Sequence, residues 1–302
     1  MKYLYYPGCS SQSTGKAYGE SVLAVFEALG APLDELEDWN CCGATTYMSI
    51  SELKAFTLSA RNLALAERQG GDTAIPDLVV PCAACYLGLN KAHKYLTEHE
   101  EIREKVNNAL AAANLEYKGR VRIRHPLDVL VNEIGLDKIK EKVSQPLAGH
   151  RVACYYGCQL IRPYADFDDQ HQPVTMGKII RALGGEVIDW PLKTRCCGGS
   201  LTGTYEDQGL RLSYMLLNEA ARRGATVIAT ACPLCQFNLE CYQSKMGRRF
   251  GQRINMPVAF FTQLIGLAFG LSPRKLGLNR LFVPLPKTIE AAADAGGRHV
   301  HS

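Results

Sequence analysis

The sequence has no segment suited to export or to crossing a membrane. Its first ten residues, MKYLYYPGCS, contain no apolar signal core. The longest apolar stretch, Val258 to Leu271, is interrupted and falls short of the roughly 20 residues a bilayer requires. A cytoplasmic protein without direct membrane insertion is therefore expected. No GxGxxG dinucleotide loop and no flavin signature occur, and the closely spaced CxxCxxCxxxCP run of ferredoxins is also missing. If this chain handles electrons, it exchanges them with another protein. Proline and glycine (14 and 27 residues) are too few for a collagen-like or low-complexity chain. The net charge is only +4, and the last 31 residues hold five Lys/Arg against two Asp/Glu, so much of the excess belongs to the tail. No basic face or recognition helix is evident, and a nucleic-acid partner is not expected.

What is present is a large apolar fraction and a patterned set of thiols. Apolar residues make up 47% of 302, which excludes a disordered chain. A folded chain of this length buries about three quarters of its surface and needs no disulfide or metal merely to supply a core. The twelve cysteines are not scattered. The first half reads Cys9, 31 residues, Cys41-Cys42, 39 residues, Cys82-Ala-Ala-Cys85. The second reads Cys158, 37 residues, Cys196-Cys197, 34 residues, Cys232-Pro-Leu-Cys235. Each lone cysteine follows Tyr-x-Gly, from Tyr6 or Tyr155. Each vicinal pair precedes a glycine, Gly43 or Gly198, and each CxxC follows an apolar stretch. Three coincident features in one order mark an internal duplication.

The secondary-structure signals repeat as well. Tyr3 to Tyr6 and Arg151 to Tyr155 read as short buried strands, followed by helices over Lys16 to Leu29 and Val174 to Leu183. Helices Ser51 to Arg68 and Tyr205 to Arg223 follow the vicinal pairs and end at Gly70-Gly71 or Gly224. A strand then delivers each CxxC, and Pro233 suits the first turn of a helix. Val121 to Arg124 offers one more strand to the first half. The expected fold is α/β: two duplicated subdomains related by a pseudo-two-fold, each a small, mainly parallel sheet flanked by helices. Residues 1–145 form the first, 146–271 the second, and 272–302 an extended arm that frays at its end.

The thiol set restricts the chemistry. Structural disulfides are disfavoured in a reducing compartment. A thioredoxin-like CxxC leaves three cysteines per half without a task. Structural zinc needs four ligands, whereas five are offered, and adjacent cysteines diverge from a single ion. A cubane [4Fe–4S] cluster also needs only four cysteines. Five thiolates drawn from three chain segments therefore suggest an iron–sulfur centre more open than a cubane; zinc in one half is the alternative.

The doubled pattern resembles the cysteine-rich CCG-domain family, and specifically the B-subunit type of heterodisulfide reductase. The resemblance runs from Lys2 to about Phe269. The 39-residue gap before Cys82 exceeds the common family spacing, but helix Ser51 to Arg68 and the glycine turn can absorb it. The resemblance implies two noncubane [4Fe–4S] clusters. One is held by Cys9, Cys41, Cys42, Cys82 and Cys85, the other by Cys158, Cys196, Cys197, Cys232 and Cys235. It implies one-electron steps on a disulfide between the clusters. It also implies a ferredoxin-like C-type protein and a flavoprotein of the A type as partners, and a disulfide or thiol substrate. A second reading is a non-catalytic electron-transfer or anchoring component of a glycolate-, lactate- or succinate-type oxidoreductase complex.

Other candidates are weaker. Arg162, Lys178, Arg181, Lys193 and Arg195 give the second half a cationic neighbourhood, and Arg195, Lys193 and Arg162 are the candidates for anchoring an anionic substrate. The same residues also suit a solvated face. Cys154 and Cys241 have no counterpart in the first half and read as core thiols. Tyr5-Tyr6 and Tyr155-Tyr156 read as packing around the thiols. His93, His99, His125, His150 and His171 lack metal-ligand spacing and receive no role. Helix Phe260 to Phe269 reads either as an exposed docking patch or as a core helix.

Overall fold

Short buried runs set the two sheets. In the computed structural model, which describes residues 3–44, 46–71, 75–164 and 167–286, the first sheet contains β1 (Tyr3–Tyr5), β2 (Leu33–Glu35), β3 (Asp77–Val79) and β4 (Arg122–Arg124). The second contains β5 (Arg151–Tyr155), β6 (Glu186–Val187), β7 (Val227–Thr230) and β8 (Val258–Phe260). The orders are β2-β1-β3-β4 and β6-β5-β7-β8, and all these strand pairings are parallel. Tyr5 pairs with Val79 in one sheet and Tyr155 with Thr230 in the other. The central strands β1, β3 and β7 are buried throughout, as parallel strands covered by helices on both faces must be.

The duplicated α/β expectation is met. Helices form at Lys16–Ala28 and Thr175–Ala182, at Glu52–Gly70 and Glu206–Arg222, and at Ala83–Glu98 and Pro233–Cys241. The Ser51 hydroxyl caps helix Glu52–Gly70 by accepting from the Lys54 N–H, a contact typically worth about 1 kcal/mol. Pro233 occupies the first helical turn. Strands β2 and β6 carry no strand signal because Leu33-Asp34-Glu35 and Glu186-Val187 are short, polar and partly exposed, and β8 carries none because Val258–Phe260 merges into the apolar run of the helix that follows.

The two halves share one core. Helix Lys16–Ala28 from the first packs against helix Phe261–Ala268 at the end of the second. Tyr18 stacks on Phe260 with ring centroids 4.3 Å apart, a contact of about 0.5–1.5 kcal/mol beyond simple burial. The hydroxyls of Ser21 and Thr262 meet at 2.7 Å in the same buried seam. Every residue of helix Phe261–Ala268 is buried. This settles the sequence's two readings of that helix: it is interior, because helix Lys16–Ala28 already covers its apolar face, and it presents no docking patch. No helix of the described residues is long and apolar enough to cross a membrane.

Beyond Ser272 the chain returns over the first half. Lys275 pairs with Glu27 at 2.7 Å and Arg280 with Glu20 at 2.9 Å, both on helix Lys16–Ala28. Leu276, Leu278 and Leu285 of this return are buried. The expected fraying around Gly296-Gly297 lies outside the described residues.

Glu240 anchors the return, accepting the backbone N–H of Val283 at 3.0 Å and that of Phe282. Its side chain also meets Gln236. Burial pushes the Glu240 carboxyl up to about 7. Because the folded value exceeds that of the free carboxyl, its stabilising contribution is complete below the unfolded value and is lost as pH rises through about 7. Glu240→Gln is therefore expected to gain stability relative to the parent as pH rises from about 4.5 to about 7, by on the order of 1–3 kcal/mol, and to keep that gain unchanged above. Paired melting curves test this; identical pH dependence in the two proteins would refute the assignment.

Candidate metal centre

The strand order dictates where the thiols emerge. In each sheet the chain leaves the central strand on one side and returns on the other, which creates a switch point between β1 and β3 and another between β5 and β7. Open α/β sheets bind ligands beyond the carboxyl ends of strands at such points. Cys9 lies four residues beyond β1 and Cys82 three beyond β3. Cys158 lies three beyond β5 and Cys232 two beyond β7. The vicinal pairs arrive on the loops that follow β2 and β6.

Ten sulfurs form one unbroken path. It runs Cys9, Cys41, Cys42, Cys85, Cys82, then Cys232, Cys235, Cys197, Cys196, Cys158. The order in the second half mirrors that in the first. The path crosses between halves at Cys82 and Cys232, the first cysteine of each CxxC. Cys42 Sγ lies 3.2 Å from Cys85 Sγ, and Cys197 Sγ lies 3.4 Å from Cys235 Sγ. Cys9, Cys41 and Cys196 are exposed, so the path opens to solvent at both ends while its middle is buried.

Proton loss alone cannot ionise this whole set. Hydrogen bonds from neighbouring thiols hold Cys41 and Cys196 down at about 2. The Cys41 contact pushes Cys42 up to about 12, and contacts with Cys42 and Cys82 push Cys85 up further. A thiolate thus forms only where its neighbours remain protonated. Making all of them ligands requires cations to replace those protons.

The surroundings fit a polynuclear iron–sulfur group. A cavity of about 290 Å³ borders Cys158, Cys196, Cys197, Cys232 and Cys235, with Ala83 of the first half in its wall. A water molecule occupies about 30 Å³, so the space suits something much larger. None of its lining residues is Asp or Glu. Among the described residues, no trio of His, Cys, Asp or Glu closes on a single-ion site. The Tyr18 hydroxyl is buried with no partner, and its ionisation is opposed by burial and by Cys232 and Cys82. A roomier cleft of about 580 Å³ beside Glu67 and Lys118 is lined by no cysteine.

Matched supports hold the two thiol sets. Gly8 and Gly157 adopt φ of 72° and 71°, a region glycine tolerates best. A Cβ on Gly8 would stand 3.2 Å from Cys85 Sγ, and one on Gly157 would stand 3.3 Å from Cys235 Sγ. The Tyr6 hydroxyl donates to the Asn40 carbonyl at 2.7 Å, and the Tyr155 hydroxyl to the Arg195 carbonyl at 2.7 Å. Asn40 and Arg195 each directly precede a vicinal pair. Ser59 donates to the Cys42 carbonyl at 2.9 Å, and Ser213 to the Cys197 carbonyl at 2.7 Å.

Comparison with known proteins decides the family. The cysteine-rich CCG domain matches twice, at residues 3–90 and 152–240. The chain belongs to the CCG cysteine-rich domain family. It is 32% identical over 288 residues to the 8-methylmenaquinol:fumarate reductase membrane anchor subunit of Wolinella succinogenes, covering 95% of this chain and 98% of that one. It is 32% identical over 251 residues to the B subunit of the ferredoxin:CoB-CoM heterodisulfide reductase of Methanosarcina mazei, covering 82% of each. It is also 32% identical to a protein of Archaeoglobus profundus described as similar to the heterodisulfide reductase B subunit, over 91% of this chain and 93% of that one. The crystal structure of a hypothetical protein from Helicobacter pylori shares the fold, with a TM-score of 0.75 and 17% identity. That match covers 95% of this chain, which spans about half (52%) of the Helicobacter chain.

The CCG repeats also place the remaining sequence candidates. Arg195 is exposed beside exposed Cys196. Arg162 donates to the Thr194 carbonyl at 2.7 Å, and Lys193 lies 3.5 Å from Asp189. Lys193, Arg181 and Cys154 line a separate cavity of about 80 Å³. Cys154 is buried, which pushes its thiol up to about 12, and Cys241 is partly exposed at the end of helix Pro233–Cys241. Neither belongs to the sulfur path.

His125 has a place that its sequence context did not reveal. It is fully buried, and burial lowers it to about 4, so the ring is neutral. Nδ1 accepts the Leu127 N–H at 3.1 Å, which leaves Nε2–H to donate to the Pro81 carbonyl at 3.0 Å. The Ala231 backbone also hydrogen-bonds to this ring. Pro81 and Ala231 directly precede Cys82 and Cys232. One imidazole thus ties together the two CxxC loops where the CCG repeats meet.

These supports make two predictions. Ser59→Ala and Ser213→Ala are each expected to cost about 1 kcal/mol of stability through the lost hydrogen bond, and to loosen iron retention in their own repeat only. Urea titration and iron counts after mild chelation check this; loss from both repeats in either variant contradicts it. His125→Phe leaves the buried Pro81 carbonyl without its donor and the Leu127 N–H without its acceptor, and is expected to destabilise the chain by about 2–4 kcal/mol. A cost below about 1 kcal/mol in the same titration would show that the imidazole does not hold the loops.

Proposed function

We propose that this chain is the iron–sulfur component of a heterodisulfide-reductase-type complex and acts on a disulfide or thiol substrate. The carrying observation is the contact path of ten thiols that joins the two CCG repeats at Cys82 and Cys232. In this reading Cys9, Cys41, Cys42, Cys82 and Cys85 hold one noncubane [4Fe–4S] cluster, and Cys158, Cys196, Cys197, Cys232 and Cys235 hold the other. Bound there, such clusters supply one electron each to the two sulfurs of a disulfide. The chain's own residues bind and exclude. Gly8 and Gly157 keep the space beside Cys85 and Cys235 open. Tyr6, Tyr155 and the two serines fix the vicinal loops, and the buried CxxC loops keep water from the shared wall. Arg195, exposed beside Cys196, is the side chain best placed to meet an anionic substrate group, whereas Lys193 lines the separate cavity beside Asp189 and Arg162 is engaged by the Thr194 carbonyl. This reading requires a ferredoxin-like protein and a flavoprotein as partners, and the cytoplasm is its compartment.

A second reading takes support from the Wolinella relative, whose name describes a membrane anchor. There the CCG repeats pass electrons or anchor a complex, and the chemistry occurs on another chain. A set of one [4Fe–4S] cluster and one zinc belongs with that reading. Anaerobic iron and zinc analysis, with EPR before and after added thiol, separates the two. The catalytic reading predicts about eight irons per chain and a thiol-sensitive signal. About four irons with one zinc, and no response to thiol, supports the electron-transfer reading instead.

A further inference from the structure

The CCG repeats differ around the second cysteine of the vicinal pair. Backbone donors to these sulfurs match. Ala44 N–H reaches Cys42 Sγ at 3.4 Å, and Gly199 N–H reaches Cys197 Sγ at 3.5 Å. Among the described residues, the second repeat adds a side-chain donor. Asn238 Nδ2 lies 3.5 Å from Cys197 Sγ and 2.8 Å from the Gly199 carbonyl oxygen. Its Oδ1 accepts the Thr202 hydroxyl at 3.0 Å. These partners fix the amide's orientation, because only the NH₂ end can serve the carbonyl and the sulfur together. Counted from the CxxC, Asn238 stands where the first repeat has Gly88. Gly88 offers no side-chain donor, and a Cβ there would sit 3.5 Å from the Ala44 methyl.

Asn238 is fully buried, and each end of its amide is hydrogen-bonded. Burying an amide is costly unless its bonds are made, so its place in the second repeat, where the first has Gly88, calls for a reason. An N–H donated to a thiolate withdraws charge from the sulfur. It stabilises the more negative, reduced form of a bound iron–sulfur centre, and hydrogen bonds to sulfur are among the main determinants of such potentials. We propose that Asn238 raises the reduction potential of the centre in the second CCG repeat above that of the first, so that a single electron shared by the pair rests in the second repeat. The inference depends on the iron–sulfur reading above. Asn238 acts through Cys197 and is a positioning residue, not a catalytic one.

The test is an anaerobic, EPR-monitored redox titration of the iron-loaded full-length protein, with dithionite as reductant. The parent is expected to show two one-electron steps. Asn238→Leu is expected to move the more positive step downward and leave the other in place. Gly88→Asn is expected to move the more negative step upward. If both variants titrate like the parent, or if Asn238→Leu lowers iron content without moving a potential, the residue is merely structural and the proposal is overturned. If Asn238→Leu does not fold, the Gly88→Asn step decides alone, and no upward movement overturns the proposal. A parent with no reducible iron–sulfur signal would defeat the underlying reading instead, so the two failures are distinguishable.

Discussion

Crowded sulfur is the constraint on which the rest of this structure depends. Ten thiols in continuous contact cannot all ionise in a buried volume unless cations stand among them. That requirement explains why the neighbouring backbone is so closely specified. The glycine before each lone cysteine, the tyrosine two residues earlier and the serine beneath each vicinal pair recur in both CCG repeats at nearly the same distances. A scattered set of core cysteines would need none of this duplication.

The fold turns two weakly structured sequences into one site. Each sheet alone has only four short strands, and each presents its thiols at a single switch point. The stacking of Tyr18 on Phe260 and the Ser21–Thr262 contact fuse the sheets into one core. The His125 ring then joins the CxxC loops. The thiol sets are therefore brought together by side chains far apart in sequence.

Much of this was legible in the sequence, and the exceptions are instructive. The repeated cysteine spacing, the strands ahead of each CxxC and the principal helices follow from apolar runs and glycine stops. Strands β2 and β6 carried too little apolar signal to show, β8 was hidden in the apolar run that continues into helix Phe261–Ala268, and that helix could be placed in the interior only once its partner helix was known. His125 and Asn238 were invisible for a different reason. Their partners, Pro81, Ala231, Cys197 and Gly199, lie between 39 and 106 residues away, and no local pattern marks such contacts. Asn238 becomes visible only when the repeats are superposed and found unequal.

The most direct measurement is an anaerobic crystal structure with iron located by anomalous scattering. The account predicts two separate groups of iron, each surrounded by the five cysteines of one CCG repeat, adjoining across Cys82 and Cys232. Iron confined to one repeat, or the ten sulfurs dispersed away from any metal, would contradict it.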